Sequence, residues 1–311
     1  MRLLPLGLLS LLLVLPDLLV CGRHLVLGVA HKTPPADLRV FVASLQAHAP
    51  NAELVLWVDP STRDWLGNRW NDPGAGGPQV HDLDEYARSA GIAEALPLVN
   101  KRYLIYRHYL ASLPAVRAPS QRVWVLISDT RDVVFQLDPF HAIVKSDSLA
   151  ARGMPPPLDR NPLMVAIESD TQRIGTCRYN RYMISFCYGA EELERLSHRA
   201  ISCSGTTLGT LRSMSTYLDR MAAEIVDRNK QHCNDQGLHN YLLHHDLERH
   251  LTVVPRHVEN STLCTVGYVP AEQLRMDEGG RLLNAAGRVC AIVHQFDRFP
   301  VLAAHFRSLY P

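Results

Sequence analysis

Asp129 and Asp132 follow an uninterrupted apolar run from Val123 to Ile127, with Ser128 between. Such a run belongs to a strand covered on both faces, because a half-exposed strand alternates. In an open α/β sheet, ligands bind outside the carboxyl ends of the strands. A strand that empties into two carboxylates therefore puts them at a candidate site. Their oxygens suit a hard divalent cation, and a cation there can clamp the phosphates of a nucleotide substrate. The same residues also fit a plain turn, in which Asp129 caps local backbone groups and Asp132 pairs with Arg131 or water.

The elements that must hold these carboxylates read as a parallel sheet. His24–Ala30 and Glu53–Val58 are apolar strands. Between them Thr33 is expected to cap a helix with Pro34 in its first turn and Leu38, Phe41, Val42 and Leu45 at helical spacing. Strand, helix and strand within about forty residues open a right-handed parallel crossover. Residues 71–78 and 153–160, rich in Gly and Pro, read as surface loops, the second leading into a strand over Leu163–Ile167. Asn100–Leu110 reads as a helix packed by its Tyr and Leu side, leaving Lys101, Arg102 and Arg107 solvated. The paired His244 and His245 lack the spacing of a metalloprotease helix and read as a solvated face.

With 311 residues, 47% apolar and 20% charged, the chain is long enough for one large α/β domain, expected over residues 23–311. A formal charge of +1 with mixed signs offers no broad basic surface, so nucleic acid is not an expected partner. Residues 1–22 carry one early basic residue, Arg2, and a Leu-rich run of about 18 residues, the signature of a signal peptide or signal-anchor. Asp17 and the prolines argue against a stable span, and the missing small-x-small site argues against cleavage; the reading leans to an anchor. That places the chain in the Golgi or endoplasmic reticulum lumen as a single-pass type II membrane protein, or else outside the cell. Membrane contact then runs through this segment alone, if it is uncleaved.

None of the cysteines at 21, 177, 187, 203, 233, 264 and 290 has the C-x-x-C spacing of a zinc site. In an oxidising compartment the six between 177 and 290 have the number for three disulfides, with buried thiols as the alternative.

Three further segments join the acidic turn: Ser202–Gly209, Cys233–Leu243 and Val293–Pro300. In this order the chain resembles the nucleotide-diphospho-sugar transferases of GT-A fold, over roughly residues 24–300. The resemblance implies an α/β fold with a mostly parallel, Rossmann-like sheet and helices on both faces. It implies that Asp129 and Asp132 stand for the DXD turn that holds manganese or magnesium on the donor diphosphate, although the spacing here is D-x-x-D. Asp132 then is the main ligand with Asp129 touching ribose or metal-bound water, or both ligate, while Arg131 meets a phosphate or neutralises its neighbours. Ser204, Gly205 and Thr206 look like the small-residue loop that lets backbone approach the donor sugar, with a plain β-turn as the alternative. Asp235 and Gln236 match a D-Q pair at a helix start, where the carboxylate faces sugar hydroxyls or acceptor; a helix cap is the competing role of Asp235. His294 resembles a third metal ligand, although the residues after it depart from the glycogenin-like pattern, and Arg298 is a candidate for the diphosphate.

The expected activity is metal-dependent transfer of a sugar from a nucleoside-diphosphate donor to a hydroxyl acceptor on a glycan, a protein or another molecule. Asp235 is the candidate base if configuration inverts; the leaving phosphate serves if it is retained. Two other classes share the site: a catalytically silent lumenal binding or scaffold protein, and a metal-dependent nucleotidyltransferase or sugar-nucleotide hydrolase.

Overall fold

The structure is a computed structural model that describes residues 22–70, 77–113, 123–143, 161–228, 233–257 and 260–311. The targeting segment, Cys21 and the loop over 153–160 lie outside the described residues, as does most of the loop over 71–78. Among the described residues no helix is long and apolar enough to cross a membrane.

A mostly parallel sheet organises the chain. Its strands are β1 (Arg23–Ala30), β2 (Ala52–Val58), β3 (Gln79–Asp82), β4 (Val123–Ser128), β6 (Pro162–Ile167), β7 (Ser202–Thr210) and β8 (Thr252–His257). They lie in the order β3-β2-β1-β4-β7-β6-β8. Only β7 runs against its neighbours, pairing antiparallel with β4 and β6.

The unbroken apolar run of β4 has the expected cause. Val123, Val125 and Ile127 point into one buried layer together with Leu25, Leu27 and Trp57. Trp124 and Leu126 point into the other, against Val26, Leu56 and Phe41. Because successive side chains in a strand alternate faces, both sets must be apolar when both faces are covered. Helices α1 (Pro35–His48), α2 (Leu98–Ser112) and α4 (Leu211–Arg228) supply this cover. Between the last two in sequence lies α3 (Arg178–Tyr188), and α5 (Asp235–Leu242) follows.

Helix α1 departs from the expected start. Pro34 occupies the cap position, Pro35 opens the first turn, and no side chain caps the end. Thr33 has no capping role. Proline suits this place because its fixed φ fits a helix start and its missing N–H would have no partner within the helix.

A second, three-stranded sheet brings the carboxyl-terminal chain back to the acidic turn. In it β12 (Ile292–His294) lies between β5 (Val133–Phe135) and β9 (Leu263–Thr265). The antiparallel register sets His294 opposite Val133, one residue beyond Asp132. The Gln295 N–H then donates to the Asp132 carbonyl at 2.8 Å.

Two disulfides occur among the described residues, not three. Cys187 on α3 is bonded to Cys233 just before α5, and Cys264 on β9 to Cys290, with Cα separations of 5.5 and 5.8 Å. For chain separations of 46 and 26 residues, closing the unfolded loops contributes about 3–4 kcal/mol each on the chain-entropy account. Cys177 and Cys203 are buried free thiols. Each has another partner: Cys203 Sγ lies 3.4 Å from His294 Nδ1, and Cys177 Sγ lies 3.2 Å from the Tyr268 hydroxyl.

Candidate functional site

The carboxyl ends of β4 and β6, the amino ends of α2 and α5, and strands β7 and β12 enclose a cleft of about 430 Å³. Its lining includes Arg102, Asp129, Glu168, Ser204, Asp235 and His294.

Asp129, Asp132 and His294 each bring one ligand atom to a common point, these atoms lying within 4.8 Å of one another. His294 Nε2 is 3.3 Å from Asp129 Oδ2 and 3.5 Å from Asp132 Oδ1. This nitrogen is buried and makes no hydrogen bond of good geometry. A buried imidazole nitrogen facing two carboxylate oxygens at 3.3 and 3.5 Å fits a divalent cation, because one ion satisfies all three groups. Manganese and magnesium both accept oxygen ligands.

Gly205 permits this convergence. A Cβ at that position would lie 2.3 Å from His294 Cε1 and 2.6 Å from Asp129 Oδ2, inside contact distance for either. The Gly205 carbonyl also accepts from the Asp129 N–H at 2.7 Å and fixes the turn. Gly205 nevertheless lies within β7 rather than in a loop or turn, and so do Ser204 and Thr206. The segment contains few large apolar side chains, yet all of it is buried. Its polar groups are met from α5: the Gln236 Nε2 and Asn240 Nδ2 atoms both donate to the Ser202 carbonyl, and the Ser204 N–H donates to Gln236 Oε1 at 3.0 Å.

Arg102 joins the two halves of the cleft. Its guanidinium donates through Nη1 to Asp129 Oδ1 and through Nη2 to Asp235 Oδ2, the latter at 2.5 Å. The expected solvated helix face is therefore wrong at two positions: Arg102 is enclosed by these carboxylates, and Lys101 is buried with Nζ donating to the Glu94 carbonyl. Arg107 remains exposed beside Asp219.

Burial alone would raise the Asp129 carboxyl, but Arg102 and His294 hold it well below the usual carboxylate range. For Asp235 burial prevails over Arg102, and the negative charge of Asp129 adds to it, so its carboxyl titrates above the usual range. Glu168, buried at the end of β6, is raised chiefly by burial. Burial disfavours the charged imidazole of His294, yet the carboxylates of Asp132 and Asp129 contribute to raising it.

The remaining expected residues divide. Asp235 does not cap its helix: Asn234 does, accepting from the Gly237 N–H, while Asp235 Oδ1 accepts from the Gln236 N–H and Oδ2 faces Arg102 and the Ser204 hydroxyl. Gln236 lines the cleft, but both ends of its amide are tied to protein, at Asn180, Ser202 and Ser204. Exposed Arg298 lines the cleft. Arg131 does not line it; its side chain is largely exposed and bonds Asp297 at 2.9 Å. Thr206 is fully buried and stands away from the lining.

Sequence reasoning missed Arg102 and Glu168. Glu168 had a signal: it follows the apolar strand β6 as Asp129 follows β4. Arg102 had none, since its partners lie 27 and 133 residues away in the chain.

Neither a family model nor a curated protein matches the chain. Among solved structures, galactosyltransferase LgtC in complex with donor and acceptor sugar analogues is similar over 92% of this chain and 95% of its own, at TM-score 0.50 and 13% identity. The fold is GT-A. An active-site mutant of LgtC also aligns, over 92% of this chain and 94% of its own, at TM-score 0.49 and 14% identity. Identities this low bear on the fold alone. In that GT-A sheet, the acidic turn and cleft sit at the carboxyl edge, where α/β sheets bind ligands.

Proposed function

We propose that the chain is a metal-dependent glycosyltransferase that moves a sugar from a nucleoside-diphosphate donor to a hydroxyl acceptor. The convergence of Asp129, Asp132 and His294 beside the Arg102–Asp235 pair carries this reading. LgtC, whose fold the chain shares, is a galactosyltransferase solved with donor and acceptor sugar analogues, which supports it.

Asp129, Asp132 and His294 would hold the cation, which stabilises negative charge developing on the departing diphosphate. Arg102 keeps Asp129 ionised and aims it at the ion site. Exposed Arg298, which lines the cleft, can meet diphosphate oxygens. Gln236 positions β7 through its amide, which fixes Gly205 against the ligands. Asp235 retains acceptor capacity, since an ionised carboxylate offers about four lone-pair sites. It can therefore receive a sugar hydroxyl, or the acceptor proton if configuration inverts. Excluding water from the cleft and aligning the acceptor with the anomeric carbon supply the rest.

The same reading places the chain in the secretory pathway, by way of the Leu-rich segment over residues 1–22. The disulfides Cys187–Cys233 and Cys264–Cys290 support an oxidising compartment. Golgi or endoplasmic reticulum residence follows if that segment stays as an anchor, and secretion if it is cleaved.

A panel of nucleotide sugars incubated with manganese, each with and without a pooled hydroxyl acceptor, tests the reaction class by mass analysis of products. Transfer of the sugar mass to acceptor is the expected result. Sugar release that ignores acceptor would instead identify a hydrolase, and a new nucleotide bond a nucleotidyltransferase.

A further inference from the structure

Helix α3 begins at the cleft and leads away from it. Tyr179 and Asn180, in its first turn, line the cleft. Tyr182 and Phe186 follow Tyr179 at helical spacing on the same side, while Asn180, Met183, Ile184 and Cys187 take the buried side. Tyr179, Tyr182 and Phe186 are 47%, 50% and 38% exposed. Three large aromatic side chains left in water on one helical face are an unusual expense of apolar surface and mark a binding face.

These rings are held in place. The Tyr179 hydroxyl accepts from Asn234 Nδ2, so the polar end is tied inward while the ring remains accessible. Tyr182 and Phe186 lie with ring centroids 5.7 Å apart and planes inclined by 30°. At the cleft itself Tyr268, 37% exposed, is anchored through its hydroxyl to Cys177 at 3.2 Å. The Cys187–Cys233 disulfide ties the far end of α3 to the chain entering α5. The helix is thus braced against the element that carries Asp235.

We infer that Tyr179, Tyr182 and Phe186 form a platform for an oligosaccharide acceptor, whose terminal sugar enters the cleft beside Tyr268. This names the acceptor class for the glycosyltransferase reading and rests on it. Sugar rings present polarised C–H groups on one face, and the electron-rich face of an aromatic ring attracts them while removing apolar surface from water. From Tyr179 to Phe186 the helix rises about 10 Å, which suits a short chain of sugars rather than a single unit. Arg178, Arg181 and Ser185 are exposed along the same stretch. The platform is therefore a line of rings set among polar groups, as a hydroxylated ligand requires, rather than the broad apolar patch of a protein interface.

The full chain is applied to a printed array of neutral oligosaccharides with their terminal monosaccharides alongside, and the strongest binder is then titrated in solution. The expected result is at least tenfold tighter binding of the oligosaccharide than of its terminal monosaccharide. In the double variant Tyr182→Ala, Phe186→Ala that advantage disappears, whereas Tyr182→Phe keeps it because stacking needs the ring and not the hydroxyl. Melting temperatures of the variants check the fold. Absence of any bound glycan, an advantage that survives the double variant, or binding of phospholipid vesicles through this face instead overturns the platform. If nucleoside diphosphate with manganese fails to bind the unmodified chain while the glycan results hold, the glycosyltransferase reading falls and the platform stands.

Discussion

Replacing Arg102 by leucine is expected to destabilise the folded chain by about 3 kcal/mol. The guanidinium lies between Asp129 and Asp235, and its side chain is only 13% exposed. Removing it leaves the buried Asp235 carboxylate and the partly exposed Asp129 carboxylate without their shared cation, so that they must either repel or take up a proton. The low end of the usual range for breaking a buried pair applies because the Asp129 side chain is a third exposed. Arg102→Lys should recover only part of the loss, since a compact, strongly hydrated ammonium lacks the two terminal nitrogens by which the guanidinium reaches both partners. Urea unfolding at pH 7 measures this. A stability for Arg102→Leu within about 0.5 kcal/mol of the parent, the range of an ordinary surface change, would show that Arg102 does not organise the cleft.

Asp235→Asn is expected to cost roughly 10²–10⁴ in turnover if the carboxylate accepts a proton, while Arg102 keeps its ion pair with Asp129. The capping role belongs to Asn234, so the two functions separate cleanly. Asn234→Ala should lower stability by about 1 kcal/mol without a comparable loss of rate. A direct comparison of purified variants, by initial rate and by unfolding, checks both. Asp235→Asn with near-normal turnover would exclude general-base catalysis and leave Asp235 a positioning group for Arg102 and the sugar.

Much of the sheet was legible because its causes are local. The uninterrupted apolar runs of β1, β2, β4 and β6 follow from burial on both faces, and the carboxylates after β4 follow from the chain leaving that sheet. Strand β7 was not legible. Its Ser, Gly and Thr residues have the composition of a turn, and they form a strand because β4 and β6 pair with both its edges while Gln236, His239 and Asn240 meet its polar groups. Those partners lie more than thirty residues away, beyond any window of periodicity.

The site divided in the same way. That His294 meets Asp132, which only the resemblance had suggested, depends on the antiparallel register of β12 with β5. Arg131 adjoins Asp132 in the chain yet turns to Asp297, and Arg102, distant in sequence, lies between Asp129 and Asp235. Adjacency was a poor guide there because consecutive side chains of a turn point in different directions. The two free thiols had a similarly nonlocal cause, each being engaged by a group from the carboxyl-terminal segment.

Thermal unfolding with uridine or guanosine diphosphate, in manganese and then in excess chelator, addresses the cation site most directly. At a free nucleotide concentration of about 100 times its dissociation constant, binding adds roughly 2.7 kcal/mol of stability. For the diphosphate that the chain recognises, this gain should appear with manganese and vanish with chelator, and Asp132→Asn should lose it even in manganese. A nucleotide-induced gain that persists unchanged in chelator and in Asp132→Asn would contradict a cation held by Asp129, Asp132 and His294.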